Sequence, residues 1–254
     1  MKRLHPVSEA EVISEFLKNE FYHENFHRVR DKFERVVMRA NLNDERENAL
    51  RRALLFRRRG HLWRELPADT AWWHVQIEPE DLRKIRVFPR AQWRKVAAES
   101  FLLADVADHI RRNQFGNGTA GFISKVRELS QRLRDRIDTS SVMLIGIDEH
   151  KPMTILEGNH RLTAALLASP ELIERQFRVL AGFSPHMSDS CWYETNFRTL
   201  WRYFKHRVWN LYDREANVAR ALRAASNRRT RGFLGDQPQA GETVSGTNAI
   251  LNSK

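Results

Sequence analysis

"TILEGNHRLTAALLA", residues 154–168, changes character in its middle. Ile155 and Leu156 end a strand-like apolar run, Glu157 and Gly158 interrupt it, and Asn159, His160 and Arg161 open a run of leucines and alanines with helical spacing. An acid, a glycine, an amide, an imidazole and a guanidinium thus crowd one strand-to-helix turn. Such a turn suits an anion: Gly158 lets the backbone turn tightly and a ligand approach, the helix opening at Asn159 presents unpaired N–H groups, and Arg161 adds a planar two-pronged donor for phosphate oxygens. Magnitudes set a limit, because a helix N-terminus contributes roughly 1 kcal/mol and each charge-assisted hydrogen bond roughly 1.5–3, whereas micromolar affinity requires about 8. A useful site needs further contacts from a base, a ribose or a magnesium ion. The plain alternative is a helix capped by Asn159, with Glu157 and Arg161 as a solvated pair.

Outward from this turn, the apolar runs "VMLIGI" and "MTIL", joined by the polar turn "DEHKP", predict a hairpin, and "WHVQI" and "FRVLAGF" predict further strands. Phe122, Val126, Leu129, Leu133 and Ile137 recur at helical spacing. Residues 73–185 therefore read as a small mixed sheet-and-helix core of α+β class. Residues 1–72 read as a helical N-terminal region, with a Tyr22, Phe26, Val29, Phe33, Val36/Val37 stripe and a capping box of Asp44 and Glu47. Residues 186–234 predict basic, aromatic-rich helices packed on the core through Phe197, Trp201, Phe204, Val208 and Leu211. Residues 235–254 carry little to bury and are expected to be disordered.

The 254 residues suffice for a substantial core, and the net charge of +11 favours acidic partners such as nucleotides, nucleic acid or phosphorylated metabolites. One cysteine, Cys191, excludes an internal disulfide framework and suits a reducing compartment. No apolar run reaches the roughly 20 residues that span a bilayer. A soluble, cytoplasmic protein without a membrane partner is expected.

The order of strands and helices, with "EGNHR" at its strand-to-helix turn, resembles the ParB/sulfiredoxin superfamily, whose turn carries a Gly-x-x-Arg box. The resemblance covers residues 73–185. Sulfiredoxins have a nucleophilic cysteine at the position of Asn159, and an amide cannot attack, so that activity is not implied. Partition-type ParB proteins have a Gly-Glu-Arg-Arg box, bind a nucleotide and usually continue into a helix-turn-helix, which is not evident here. The box is most similar to the Asp-Gly-His-His-Arg of the superfamily's free serine kinases, with Glu for Asp and Asn for the first His. The resemblance implies a nucleotide (ATP, ADP or CTP), with Mg2+, on Gly158, Asn159, His160 and Arg161, and Glu157 and His160 at the reacting centre. Arg90 in "VFPR" falls where the superfamily often has an Asn-Pro-Arg-like stretch, which implies a further phosphate contact.

Phosphoryl transfer needs positioning, charge neutralisation and an acceptor oriented by a carboxylate. Glu157 is the first candidate, and Glu78, Glu80 and Asp81 follow. Other motifs weigh less. "FGNGTAG" lacks the Lys-Ser/Thr ending of a P-loop and reads as a loop before a helix. "HENFH" places His23 and His27 in a zinc-binding pattern, yet Arg28 follows and no third ligand is visible, so no metal site is expected there. "RRRG" at 57–60 reads as a helix end. The function expected is nucleotide-dependent phosphoryl transfer to a small-molecule acceptor, or NTP hydrolysis. The alternative is a nucleotide-gated DNA-binding protein or nuclease of ParB type, suggested by basic residues interleaved with aromatics after residue 186.

Overall fold

The computed structural model describes residues 1–89, 91–97, 100–116 and 118–212. Arg90, the part of the expected C-terminal helices over 213–234 and the tail expected over 235–254 lie outside the described residues. At the centre, β4 (Ser141–Gly146) and β5 (Met153–Glu157) form the antiparallel hairpin that the apolar runs predict. Asp148 closes it, its Oδ1 accepting from the backbone N–H groups of His150 at 2.8 Å and Lys151 at 2.9 Å. On the other side of β4, β6 (Arg178–Phe183) runs parallel, and β2 (Ala71–Gln76) runs antiparallel to β6.

Two strands escape the sequence pattern. β1 (Lys2–Val7) pairs antiparallel with β2 at the sheet edge, so the region 1–72 is not helical throughout. Its side chains are almost all exposed, so no apolar alternation announces it. β3 (Ile85–Arg86) is two residues long and parallel to β5, too short to show an alternating pattern in the sequence. The six strands form one mixed sheet in the order β1-β2-β6-β4-β5-β3, and the chain is of α+β class.

Both faces of the sheet are covered, and alternation along β4 shows why. Val142 and Leu144 point to one side with Ile155, Val179 and Ala181, under α5 (Leu103–Arg111), α6 (Ala120–Asp135), α7 (Asn159–Ala168) and α8 (Glu171–Gln176). Met143 and Ile145 point to the other with Leu156 and Leu180, under α1 (Glu9–Glu20) and α3 (Glu45–Trp63), whose Phe16, Leu17 and Leu54 are buried there. Each such side chain contributes roughly 1.5–3 kcal/mol of burial. The N-terminal helices are therefore a layer of the same unit.

α2 (Arg30–Met38) joins that layer through a buried cation. Arg51, with no exposed surface, donates to the carbonyls of Val36 at 2.8 Å and Asn41 at 2.9 Å, and pairs with Glu47 at 3.3 Å. Glu47 is therefore drawn inward and does not complete a capping box, although Asp44 caps α3 as expected. Nor does α3 end at Gly60. It bends at Arg59 (φ −134°, ψ 16°) and continues to Trp63.

The C-terminal expectation is reversed. α9 (Phe197–Leu211) turns its aromatic stripe outward: Phe197 is 86 % exposed, Trp201 53 % and Phe204 54 %. Its polar side faces the body, where the wholly buried Glu65 takes a hydrogen bond from His206 Nδ1 at 2.7 Å and lies 3.7 Å from Arg202. A buried carboxylate must be paired, and that requirement outweighs the stripe.

Across the β1–β2 pair, His74 Nδ1 and His5 Nε2 share a hydrogen bond of 3.1 Å. Burial first, then the Arg178 guanidinium and His5, push the His74 imidazolium below its ordinary value of 6.5. The unfolded chain therefore protonates His74 before the folded one does, so its contribution to stability is present above pH 6.5 and is lost as the pH falls below it. His74→Asn is expected to reduce the loss of melting temperature between about pH 7.5 and pH 5.5 relative to wild type. Thermal unfolding at the two pH values checks this, and equal losses in both proteins would refute it.

Candidate functional site

β5 ends where α7 begins, and the turn between them works through Gly158. It adopts a left-handed conformation (φ 98°, ψ 16°) at the cap position of α7, and a Cβ there would lie 2.9 Å from Val142 Cγ2. Any other residue would meet both backbone strain and a packed neighbour. Asn159 does not cap the helix, because its side chain is engaged elsewhere: Oδ1 accepts from the Phe88 backbone N–H at 2.7 Å. This bond ties the chain after β3 to the turn. Gly158 has no side chain with which to cap α7, so the helix opens without the usual side-chain cap at this position.

The turn borders a cavity of about 580 Å³ that Glu157, Gly158, Asn159, His160 and Arg161 all line. The opposite wall comes from the other layer, through Phe16, Lys18, Asn19 and Glu20 of α1 and Arg59 and Leu62 of α3. The site therefore lies where the two helical layers meet the end of β5. Sequence order gave no sign of this wall, which is recruited from about a hundred residues away or more. His23 also lines the cavity, but the segment Glu24–Val29 after it is a 3-10 helix, in which residues four apart do not share a face. His23 and His27 are thus not arranged as the zinc pattern requires. Among the described residues no three His, Cys, Asp or Glu side chains gather as a metal site.

Arg161 is the hub of the turn. Its guanidinium donates to Glu157 Oε1 at 2.8 Å, to Asn19 Oδ1 at 3.4 Å and to Ser140 Oγ. The Glu157 pair is largely buried, not solvated. His160 sits between Trp93 and Phe122, with ring centroids 5.2 and 5.1 Å away. Trp93 lines the cavity, which the motif did not reveal, and Phe122, on the predicted helical stripe, backs the His160 ring.

The charges of the cavity nearly cancel. Arg59 gives both Nε and a terminal nitrogen to Glu20, at 3.0 and 2.6 Å, and Lys18 pairs with Glu15 at 2.7 Å. Burial would raise the Glu15 carboxyl, but hydrogen bonds from Lys18 and Ser141 outweigh it and hold it below the ordinary carboxylate value. Asp138 is a further acid on the lining. An incoming anion must displace a carboxylate from its arginine or arrive with a cation of its own.

Other sequence candidates lie elsewhere. Glu78 and Asp81 form a reciprocal cap on the 3-10 segment Pro79–Arg83, and the buried Asp81 binds the amino-terminal ammonium at 2.6 Å, so neither faces the cavity. Gly121 lies in the first turn of α6, and Gly118 takes a left-handed turn before it, as a loop reading requires. Compared with models of protein families, with curated proteins and with solved structures, the chain matches none.

Gly158→Ala is expected to destabilise the fold by about 2–4 kcal/mol, combining left-handed strain with overpacking. Val142→Ala in the same chain should recover part of the loss, because it removes the contact but not the strain. Thermal unfolding of the single and double variants measures both, and a stable Gly158→Ala protein would refute the account of the turn.

Proposed function

We propose that the cavity at residues 157–161 binds a nucleotide and that the chain transfers its terminal phosphoryl group to a small-molecule acceptor or to water. The observation that carries this reading is the opening of α7 on left-handed Gly158, with no side-chain cap, inside a cavity of about 580 Å³ lined by Arg161, Arg59 and Lys18. That volume is in the range of small-molecule sites, roughly 300–1,000 Å³. The resemblance of the turn to the superfamily's box supports the same ligand. Phosphate oxygens accept from the first-turn N–H groups and from Arg161, and a base has Trp93 and Leu62 to lie against.

Glu157 orients the acceptor hydroxyl once phosphate has taken over its arginine. Until then its carboxylate is committed to Arg161, 2.8 Å away. His160, held between Trp93 and Phe122, contributes its first-turn N–H and its ring to the phosphate wall. The near cancellation of charge favours a nucleotide carried in with magnesium, and Glu157 and Asp138, both on the cavity lining, would be the carboxylates to hold it. The metal supplies charge neutralisation at the transferred group.

A second reading rests on α9. Its exposed Trp201, Phe204 and Trp209 alternate with Arg198, Lys205 and Arg207, and a helix presenting rings and cations together suits stacking on a nucleic acid. The two readings separate by salt: a nucleic-acid complex weakens steeply with ionic strength.

Calorimetry with ATP, ADP and CTP in the presence of magnesium tests the first reading. Wild type is expected to bind one of them, and Arg161→Lys to weaken it about five- to a hundredfold by losing the planar fork. The same substitution lowers the melting temperature, because Arg161 also holds Ser140 and Asn19. A lowered melting temperature with unchanged affinity would make Arg161 purely structural, and a wild type that binds no nucleotide would end the reading.

A further inference from the structure

A second cavity, of about 400 Å³, lies beside β3 and shares no lining residue with the first. Its walls are apolar and aromatic, from Val87, Phe101, Trp192 and Tyr193, and its cations are Arg86 and Arg94. Arg86 is half-buried, with its guanidinium carbon 4.8 Å over the Tyr193 ring and one terminal nitrogen donating to the Tyr193 carbonyl at 3.3 Å. Its Nε is buried and has no hydrogen-bond partner. Among the described residues no carboxylate pairs with Arg86. The acid on the lining, Glu194, is exposed and takes the Asn196 amide at 3.3 Å instead. A half-buried guanidinium without a counter-charge and with an unmet N–H is costly unless something supplies both.

Backbone geometry at the same place is also unusual. Phe101, on the cavity wall, has φ 53°, a left-handed conformation that a bulky residue seldom adopts. It is held there by its own carbonyl, which accepts from the Val87 N–H at 2.8 Å. Strain of this kind persists where the surroundings over-determine it, and it concentrates at ligand sites. The cavity, the uncompensated Arg86 and the strained Phe101 are three separate observations converging on one place.

We propose that this cavity binds a small carboxylate with a flat apolar body, its carboxylate on Arg86 and its body between Tyr193, Trp192 and Phe101. Arg94 is exposed to solvent, so the half-buried guanidinium of Arg86 is the charge that calls for a carboxylate, and the aromatic lining calls for a planar apolar remainder. The inference does not depend on nucleotide binding in the other cavity.

Benzoate is the probe, with benzyl alcohol as its neutral isostere, acetate as the carboxylate without a body and phenyl phosphate as the alternative anion. Titration calorimetry on the full chain is expected to show benzoate binding, with acetate and benzyl alcohol each weaker by about tenfold or more. Arg86→Gln should weaken benzoate about ten- to a hundredfold, and Arg161→Lys should leave it unchanged. If Arg86→Gln fails to fold, Thr154→Leu, which fills the cavity from the sheet, should produce the same loss. Equal binding of benzyl alcohol, or full benzoate affinity in Arg86→Gln or in Thr154→Leu, would overturn the proposal. So would preference for phenyl phosphate, which would assign a phosphate site, and so would the absence of benzoate binding by wild type.

Discussion

β4 is buried along its whole length and on both faces, and every other element answers to that constraint. A six-residue strand with apolar side chains alternating up and down cannot be covered from one side, so two helical layers are required. One layer is local, built from the helices between β3 and β6. The other must be brought from the N-terminus, and α1 and α3 supply it. Where the two layers meet the end of β5, their edges cannot close on each other, and the cavity at residues 157–161 is the gap that remains. The same close packing forbids a Cβ at Gly158, because Val142 of β4 fills the space behind it.

Buried charge then decides details that apolar packing leaves open. Arg51 sits in the second layer with carbonyls and Glu47 around it, so the loop between α2 and α3 is fastened by polar contacts. Glu65 does the same for α9, drawing in Arg202 and His206. Pairs of this kind add little net stability over an apolar substitute, but removing one partner costs about 3–5 kcal/mol, so they act as selectors of arrangement. The consequence for α9 is an outward row of aromatic side chains beside exposed cations.

The candidate site follows the same logic of committed charge. Arg161 and Arg59 each hold a carboxylate, so the cavity offers an anion competition rather than a simple positive field. The uncapped start of α7 is what remains unspent. Arg86 in the second cavity is the contrasting case, a guanidinium with no carboxylate paired to it among the described residues.

Periodicity made much of this legible. The hairpin of β4 and β5, the strands β2 and β6, the helix α6 and the turn at Gly158 all announce themselves through local patterns, because each depends on side chains near one another in the chain. The five residues of the turn were identified and do border one cavity. β1 was not legible, since an exposed edge strand is held by backbone pairing and needs no apolar alternation. Arg59, Trp93 and Ser140 were not legible as neighbours of the turn, since only the meeting of two layers brings them there. α9 marks the limit most clearly. The sequence determined that Phe197, Trp201, Phe204 and Val208 share one helical face and that Arg202 and His206 share another. Which face turned inward was decided by Glu65, 141 residues before His206, because an unpaired buried carboxylate is costlier than an exposed aromatic row.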